Sequence, residues 1–182
     1  MPVFPINQDW KFHYGDQPSA FQKDYRDNAW ETVTVPHDWS VTMPFDRSCS
    51  SGTGYLPGGT AWYRKRFFLP EEARGKRVRI VLDGVYKNAK LWCNSYYLGC
   101  YPYGYSEIAL DVSDFASFGE TENVLCVRVE REDLADSRWF TGCGIYRKVS
   151  VEISEPVGFA HHGVFFFVAS ISFTMTSSTM SV

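Results

Sequence analysis

One pattern recurs from Ala61 to Ile153: short runs of alternating apolar and polar residues, separated by turn residues. Alternation sends successive side chains to opposite faces, so such a run buries one face only as a strand. Arg77–Leu82, reading RVRIVL, is the clearest case, with Val78, Ile80 and Leu82 on one side and Arg77, Arg79 and Val81 on the other. Ala61–Leu69 and Ala89–Cys93 obey the same rule. Asn94-Ser95 then turns the chain into Tyr96–Cys100, because Asn tolerates positive φ. Glu107–Val112, Asn123–Glu130 and Tyr146–Ile153 supply three more strands, and the run TVTV ends at Pro36. No segment sustains a helical period, and Asp111–Phe118 is at most one helical turn. The chain is therefore expected to be all-β, two sheets packed face to face. Roughly eight strands suit a jelly-roll β-sandwich better than a barrel, although strand count alone does not separate them.

At 182 residues the chain is one domain, with room at most for the first strands of another. A chain of this size buries a core without disulfide staples. Six Trp and eleven Tyr raise the aromatic fraction to 17%, which suits either a sandwich core or a surface that stacks on flat ligands. The net charge of −3 is mild and Lys and Arg are scattered, which argues against nucleic acid and against an anionic membrane as partners. Cys49, Cys93, Cys100, Cys126 and Cys143 contain no C-x-x-C pair, so no metal is expected and the cysteines read as free thiols. The start, MPVFPINQDW, lacks a basic segment followed by an apolar run, which points to a cytoplasmic protein.

Two stretches break the strand pattern. Pro36–Gly59 is long and irregular, and loops of that length often carry function. Beyond Glu155 there is no Asp, Glu, Lys or Arg up to Val182. That uncharged, Phe-, Ser- and Thr-rich tail reads either as the start of a following domain or as an aberrant translation. It is too interrupted for a transmembrane helix, and it is expected to promote self-association.

The segments NQDWKFHYGD, DYRDNAWETVTVPHDWSV, GGTAWYRKRFFLP, LDGVYKNAKLWCNSYYLGCYPYGYSEIALDVSD, ENVLCVRVE and DSRWFTGCGIYRKV follow one another between Asn7 and Val149. In this order and spacing they resemble the N-terminal sugar-binding domain of family-2 glycoside hydrolases, the β-galactosidase and β-glucuronidase group. The resemblance implies a galactose-binding-like jelly roll over residues 1–155. Residues 156–182 would be a linker and a truncated or aberrant start of an immunoglobulin-like domain. It implies retaining hydrolysis by two glutamates on a separate catalytic barrel, about 5–5.5 Å apart. None of that family's catalytic glutamate motifs occurs here, so the chain alone is expected to be non-catalytic and to need no cofactor. By the same resemblance, Mg or Na ions belong to full-length relatives. The implied partners are the barrel and a β-galactoside or related glycan.

Candidate site residues follow from the motifs. Asp136, Arg138 and Trp139 are the strongest substrate-binding candidates. In related enzymes an Asp in this segment reaches the sugar or a sodium ion, but here that position falls on Arg138, with Asp136 two residues earlier. Arg138 offers a fork of donors to sugar hydroxyls or to a barrel carboxylate. The alternative is a salt link that only fixes a domain interface. Tyr55 and Ser50 sit in the flexible loop Arg47–Gly59, where Tyr55 could stack on a pyranose; the alternative is a plain solvent loop. His37, Asp38, Arg47 and Arg147 are candidates for a domain interface. For His37 and Asp38, a structural corner closed by Pro36 and Trp39 is the favoured reading. Trp62 reads as core, and Arg64 on the same face requires a carboxylate partner if buried. Tyr101, Tyr103 and Tyr105 either contact sugar or pack across strands. Ser95 stands where the family has Gly, which predicts a strained hairpin or another turn type. A free-standing carbohydrate-binding module and an inactive truncated gene product are the rival readings of the whole chain.

Overall fold

The computed structural model describes residues 2–131, 137 and 139–168. Among these described residues ten strands follow in order: β1 (Val3–Pro5), β2 (Trp10–Tyr14), β3 (Glu31–Val33), β4 (Gly59–Phe67), β5 (Arg77–Leu82), β6 (Ala89–Cys93), β7 (Tyr96–Tyr101), β8 (Ile108–Asp111), β9 (Asn123–Arg131) and β10 (Val149–Ser154). Among the described residues there is no α-helix, only three short 3-10 turns. The strands form two sheets, ordered β1-β10-β5-β8 and β3-β2-β4-β9-β6-β7. Every pairing between them is antiparallel. The fold is the expected jelly-roll sandwich.

The alternation places the core. Val78, Ile80 and Leu82 of β5, with Val149, Val151 and Ile153 of β10, face Ala61 and Tyr63 of β4, Leu91 of β6, and Leu125, Val127 and Val129 of β9. Each fully buried aliphatic side chain contributes about 1.5–3 kcal/mol relative to exposure. Tyr63 faces this interior, so its neighbour Trp62 lies on the outer face of the larger sheet, in a second apolar cluster with Ala20 and Trp30.

Arg64 follows Trp62 on that outer face and is fully buried, and it has the carboxylate its burial demands. Its Nε donates to Asp27 Oδ2 at 2.8 Å. Nη1 donates to the carbonyls of Ala20 and, at 3.0 Å, Gln22; Nη2 donates to those of Lys23 (3.3 Å) and Tyr25 (3.4 Å). One guanidinium thus staples segment 20–27 to the sheet. Asp16 extends the staple by accepting from Trp62 Nε1 at 3.0 Å and from Arg128 Nε at 3.0 Å.

Several boundaries differ from the sequence reading. β1 and β2 were not expected: β1 has no buried side chain, whereas β2 does alternate, burying Trp10 and Phe12. β10 begins at Val149, not Tyr146, because Tyr146 is held in the preceding turn by donating its hydroxyl to the Gly104 carbonyl at 2.8 Å. β4 spans Gly59–Phe67, displaced from the expected Ala61–Leu69. At the β6–β7 hairpin Asn94 has φ 49° and Ser95 φ 74°. Two consecutive left-handed residues make a type I′ turn, with Ser95 in the strained conformation. Ser95 Oγ accepts from the Lys23 amide at 2.8 Å, and Asn94 is tied to Phe115, Asn123 and Val124. All five cysteines are free. Burial pushes the thiols of Cys93 and Cys126 up to about 12.

Candidate functional site

Three motifs converge at one end of the sandwich. The His37 amide donates to the Ile145 carbonyl at 2.8 Å, and Tyr86 and Gly144 exchange backbone hydrogen bonds of 2.9 and 2.8 Å. Gly144 sits at φ +102°, and a Cβ there would lie 2.7 Å from the His37 carbonyl oxygen and against the Tyr63 hydroxyl. Only glycine fits both the conformation and the space. His37 Nδ1 lies 2.9 Å from the Tyr63 hydroxyl. Burial drives the His37 pKa down, opposed by Glu31 and Asp38, so the imidazole is neutral at pH 7. Asp38 Oδ1 accepts from the amide (3.0 Å) and hydroxyl (2.8 Å) of Ser40, the local turn bond expected of a corner.

Beside this junction lies a hollow of about 380 Å³ lined by Tyr86, Lys87, Tyr103, Tyr105, Trp139 and Thr141, among others. Tyr105 is 5.4 Å from Tyr86 and 5.7 Å from Tyr103, ring centre to ring centre. Trp139 and Tyr103 are each 64% exposed, which is unusual for rings of this size. Ser137 Oγ donates to the Trp139 carbonyl at 2.7 Å. The bond from Tyr146 to Gly104 anchors the loop that carries Tyr103 and Tyr105. Fixed aromatic faces with a few polar neighbours provide a platform for a flat ligand bearing C–H groups on one side and hydroxyls on its edge.

A second hollow, about 540 Å³, is lined by Phe45, Arg47 and Tyr55. Local hydrogen bonds tie its loop to itself. Asp46 and Tyr55 are joined by a 2.9 Å backbone bond, and Asp46 Oδ1 accepts from the Ser48 amide and hydroxyl at 2.8 and 2.7 Å. Ser50 Oγ accepts from the Gly52 amide at 3.2 Å and caps the turn Ser51–Thr53, so its side chain is engaged inside the loop. Tyr55 is 46% exposed at the loop tip, with φ +60°.

The candidates therefore divide. Trp139 lines the first hollow; Tyr55 and Arg47 line the second. His37 and Asp38 turn toward the corner between motifs. Arg147 is exposed, its guanidinium 5.4 Å over the Tyr146 ring. Asp136 and Arg138 lie outside the described residues. Neither hollow is lined by an Asp or Glu among the described residues, so neither presents the carboxylate pair that glycoside hydrolysis needs. Sequence reasoning weighed Tyr103 and Tyr105 without choosing, and did not single out Tyr86 or Lys87, which also line the hollow. It also missed a polar cluster of Glu107, His161 and His162 on the smaller sheet, whose only signal was the adjacent histidine pair.

The domain described as "Glycosyl hydrolases family 2, sugar binding domain" matches residues 4–155. A β-galactosidase of Bacteroides ovatus is 40% identical over 168 residues, covering 91% of this chain and 20% of the relative. A β-glucuronidase of Formosa agariphila is 31% identical over 170 residues, covering 85% of this chain and 17% of that protein. A solved β-glycosidase from Bacteroides vulgatus superposes with TM-score 0.81 at 34% identity, covering 86% of this chain and 20% of that one. The chain thus spans about a fifth of the length of the curated relatives it matches.

Proposed function

The chain belongs to the sugar-binding domain of the family-2 glycosyl hydrolases, and from that membership we propose that it serves as the accessory domain of a retaining, β-galactosidase-like exo-glycosidase. In this reading the glycosidic bond is broken by carboxylates on a catalytic barrel. This chain packs against the barrel and supplies one wall of the sugar pocket. Its contribution is orientation, holding the ring where the reacting groups can reach it. The observation that carries the reading is the exposed aromatic hollow of Tyr103, Tyr105 and Trp139, built beside a glycine-dependent junction and lined by no carboxylate among the described residues. The loop bearing Arg47 and Tyr55, with Asp136 and Arg138, would complete the wall. His37, Asp38 and Arg147 would border the domain junction, and the exposed apolar residues from Val157 to Val168 would meet a following domain.

The exposure of Trp139 and Tyr103 also favours a second reading, a free-standing carbohydrate-binding module. Calorimetric titration with galactose and with glucuronate separates the two. The accessory reading expects binding no tighter than about 1 mM, or about −4 kcal/mol, because half the pocket lies on the barrel. Micromolar binding that Trp139→Ala abolishes would favour the module and overturn the accessory role.

A further inference from the structure

Away from the aromatic hollow, the outer face of the smaller sheet gathers side chains that the sugar reading does not use. Glu107 precedes β8, Glu152 lies in β10, and His161 and His162 follow β10 in a turn. In a strand two adjacent histidines would point to opposite faces. Here His162 takes a left-handed φ of 54°, and the two rings lie 4.0 Å apart, centre to centre. His161 Nε2 is 2.5 Å and His162 Nε2 3.0 Å from the same oxygen, Glu107 Oε1. The three ligand atoms all fall within 4.8 Å of one another.

We propose that Glu107, His161 and His162 form a site for a divalent first-row transition ion, with Zn²⁺ the best match. Two imidazoles and one carboxylate are ligands that zinc favours, and a water completes the tetrahedron. Zn–N bonds of about 2.0–2.1 Å put tetrahedral ligand atoms roughly 3.3 Å apart, so the two imidazole–carboxylate separations have to open by less than about 1 Å. A further carboxylate stands close to the far nitrogen of His161. His161 Nδ1 faces Glu152 Oε2 at 3.6 Å, and Glu152 is held by Arg79 Nη1 at 3.2 Å. A carboxylate on the far nitrogen of a ligating histidine fixes its tautomer and orientation, the usual outer partner of a zinc ligand. On binding, each imidazole presents an unprotonated Nε2 to the ion in place of its contact with Glu107 Oε1. It then clamps segment 156–162 to the sheet it has just left. This proposal is independent of the sugar-binding reading.

The test is calorimetric titration of ZnCl₂ into tag-free protein carrying Cys49→Ser and Cys100→Ser, which removes the more accessible thiols as competing ligands. Co²⁺ absorption on the same protein reports ligand type. The expected result is one ion per chain, no thiolate charge-transfer band, and affinity lowered at least tenfold by Glu107→Gln, His161→Gln or His162→Gln. Glu152→Gln should weaken binding about tenfold, in the range of outer-partner losses. The His162 side chain is 75% exposed, so its replacement removes a ligand without touching the core. Circular dichroism in EDTA should be the same for all variants. Absence of saturable one-to-one binding, or binding unchanged by all three ligand substitutions, would overturn the proposal.

Discussion

Replacing Asp27 by Asn should be among the most destabilising single changes available to this domain. Asp27 is 1% exposed and is the carboxylate partner of Arg64, which is 0% exposed. The substitution keeps the shape but leaves a guanidinium buried with no countercharge, a loss of about 3–5 kcal/mol. Arg66 also loses a contact to Asp27, but it is partly solvated and keeps Glu122 at 2.9 Å, so it adds little. For a domain of this size each 1 kcal/mol lowers Tm by about 2–4 °C, giving a drop of roughly 6–20 °C. That is a large share of a typical stability of about 5–15 kcal/mol. Thermal and urea unfolding followed by circular dichroism measure it, and limited proteolysis should show segment 20–27 opening first. Because the two residues are coupled, Asp27→Asn with Arg64→Met should cost less than the sum of the single changes. The pH profile supplies a second readout. Burial pushes the Asp27 carboxyl up, but hydrogen bonds and charge from Arg64 and Arg66 outweigh it and hold the carboxyl below its usual 3.8. Its stabilisation is complete above the unfolded value of about 3.9 and is lost as pH falls through the lower folded value. The wild type should shed that increment in acid, and Asp27→Asn should not. A Tm within 3 °C of wild type, the shift expected for about 1 kcal/mol, would refute the staple.

Gly144→Ala should cost about 1–3 kcal/mol, because a left-handed residue there acquires a Cβ against the Tyr63 hydroxyl and the His37 carbonyl; denaturant melts check this. For His37 the folded pKa is depressed, so its share of stability is present above about 6.5 and falls away as pH drops below that. Between pH 7 and 5 the wild-type Tm should therefore decline more steeply than that of His37→Gln.

The sheet architecture was legible because its signal is local. RVRIVL states which face of β5 is buried, and the structure puts Val78, Ile80 and Leu82 there. The need of Arg64 for a carboxylate was legible too, since it follows from charge and face alone. The identity of that partner was not: Asp27 is 37 residues away in a segment without periodicity, delivered by the fold. β1 was invisible because a three-residue exposed edge strand carries no alternation. The loop Arg47–Gly59 reads as flexible from its small polar residues; the hydrogen bonds that Asp46 and Ser50 make within it follow from short polar side chains bonding the backbone two residues on.

The candidate site was legible only in part. Trp139 was singled out from the motif, and it does line a hollow. That Tyr86 and Lys87 share the hollow depends on the junction between Tyr86 and Gly144, a pairing no local pattern announces. The Glu107–histidine cluster joins residues 54 and 55 positions apart, and metal spacing rules built on cysteines could not find it.

The central claim is that this domain shapes a pocket whose chemistry resides elsewhere. The most direct measurement is turnover of 4-nitrophenyl β-D-galactopyranoside by the purified chain alone and by the same chain grafted in place of the matching segment of the Bacteroides ovatus β-galactosidase. The account predicts no turnover above background for the chain alone. It predicts activity for the graft, with a raised KM on Trp139→Ala and Tyr103→Ala. Hydrolysis by the isolated chain, freed of host enzyme and lost on substituting one of its own carboxylates, would contradict it.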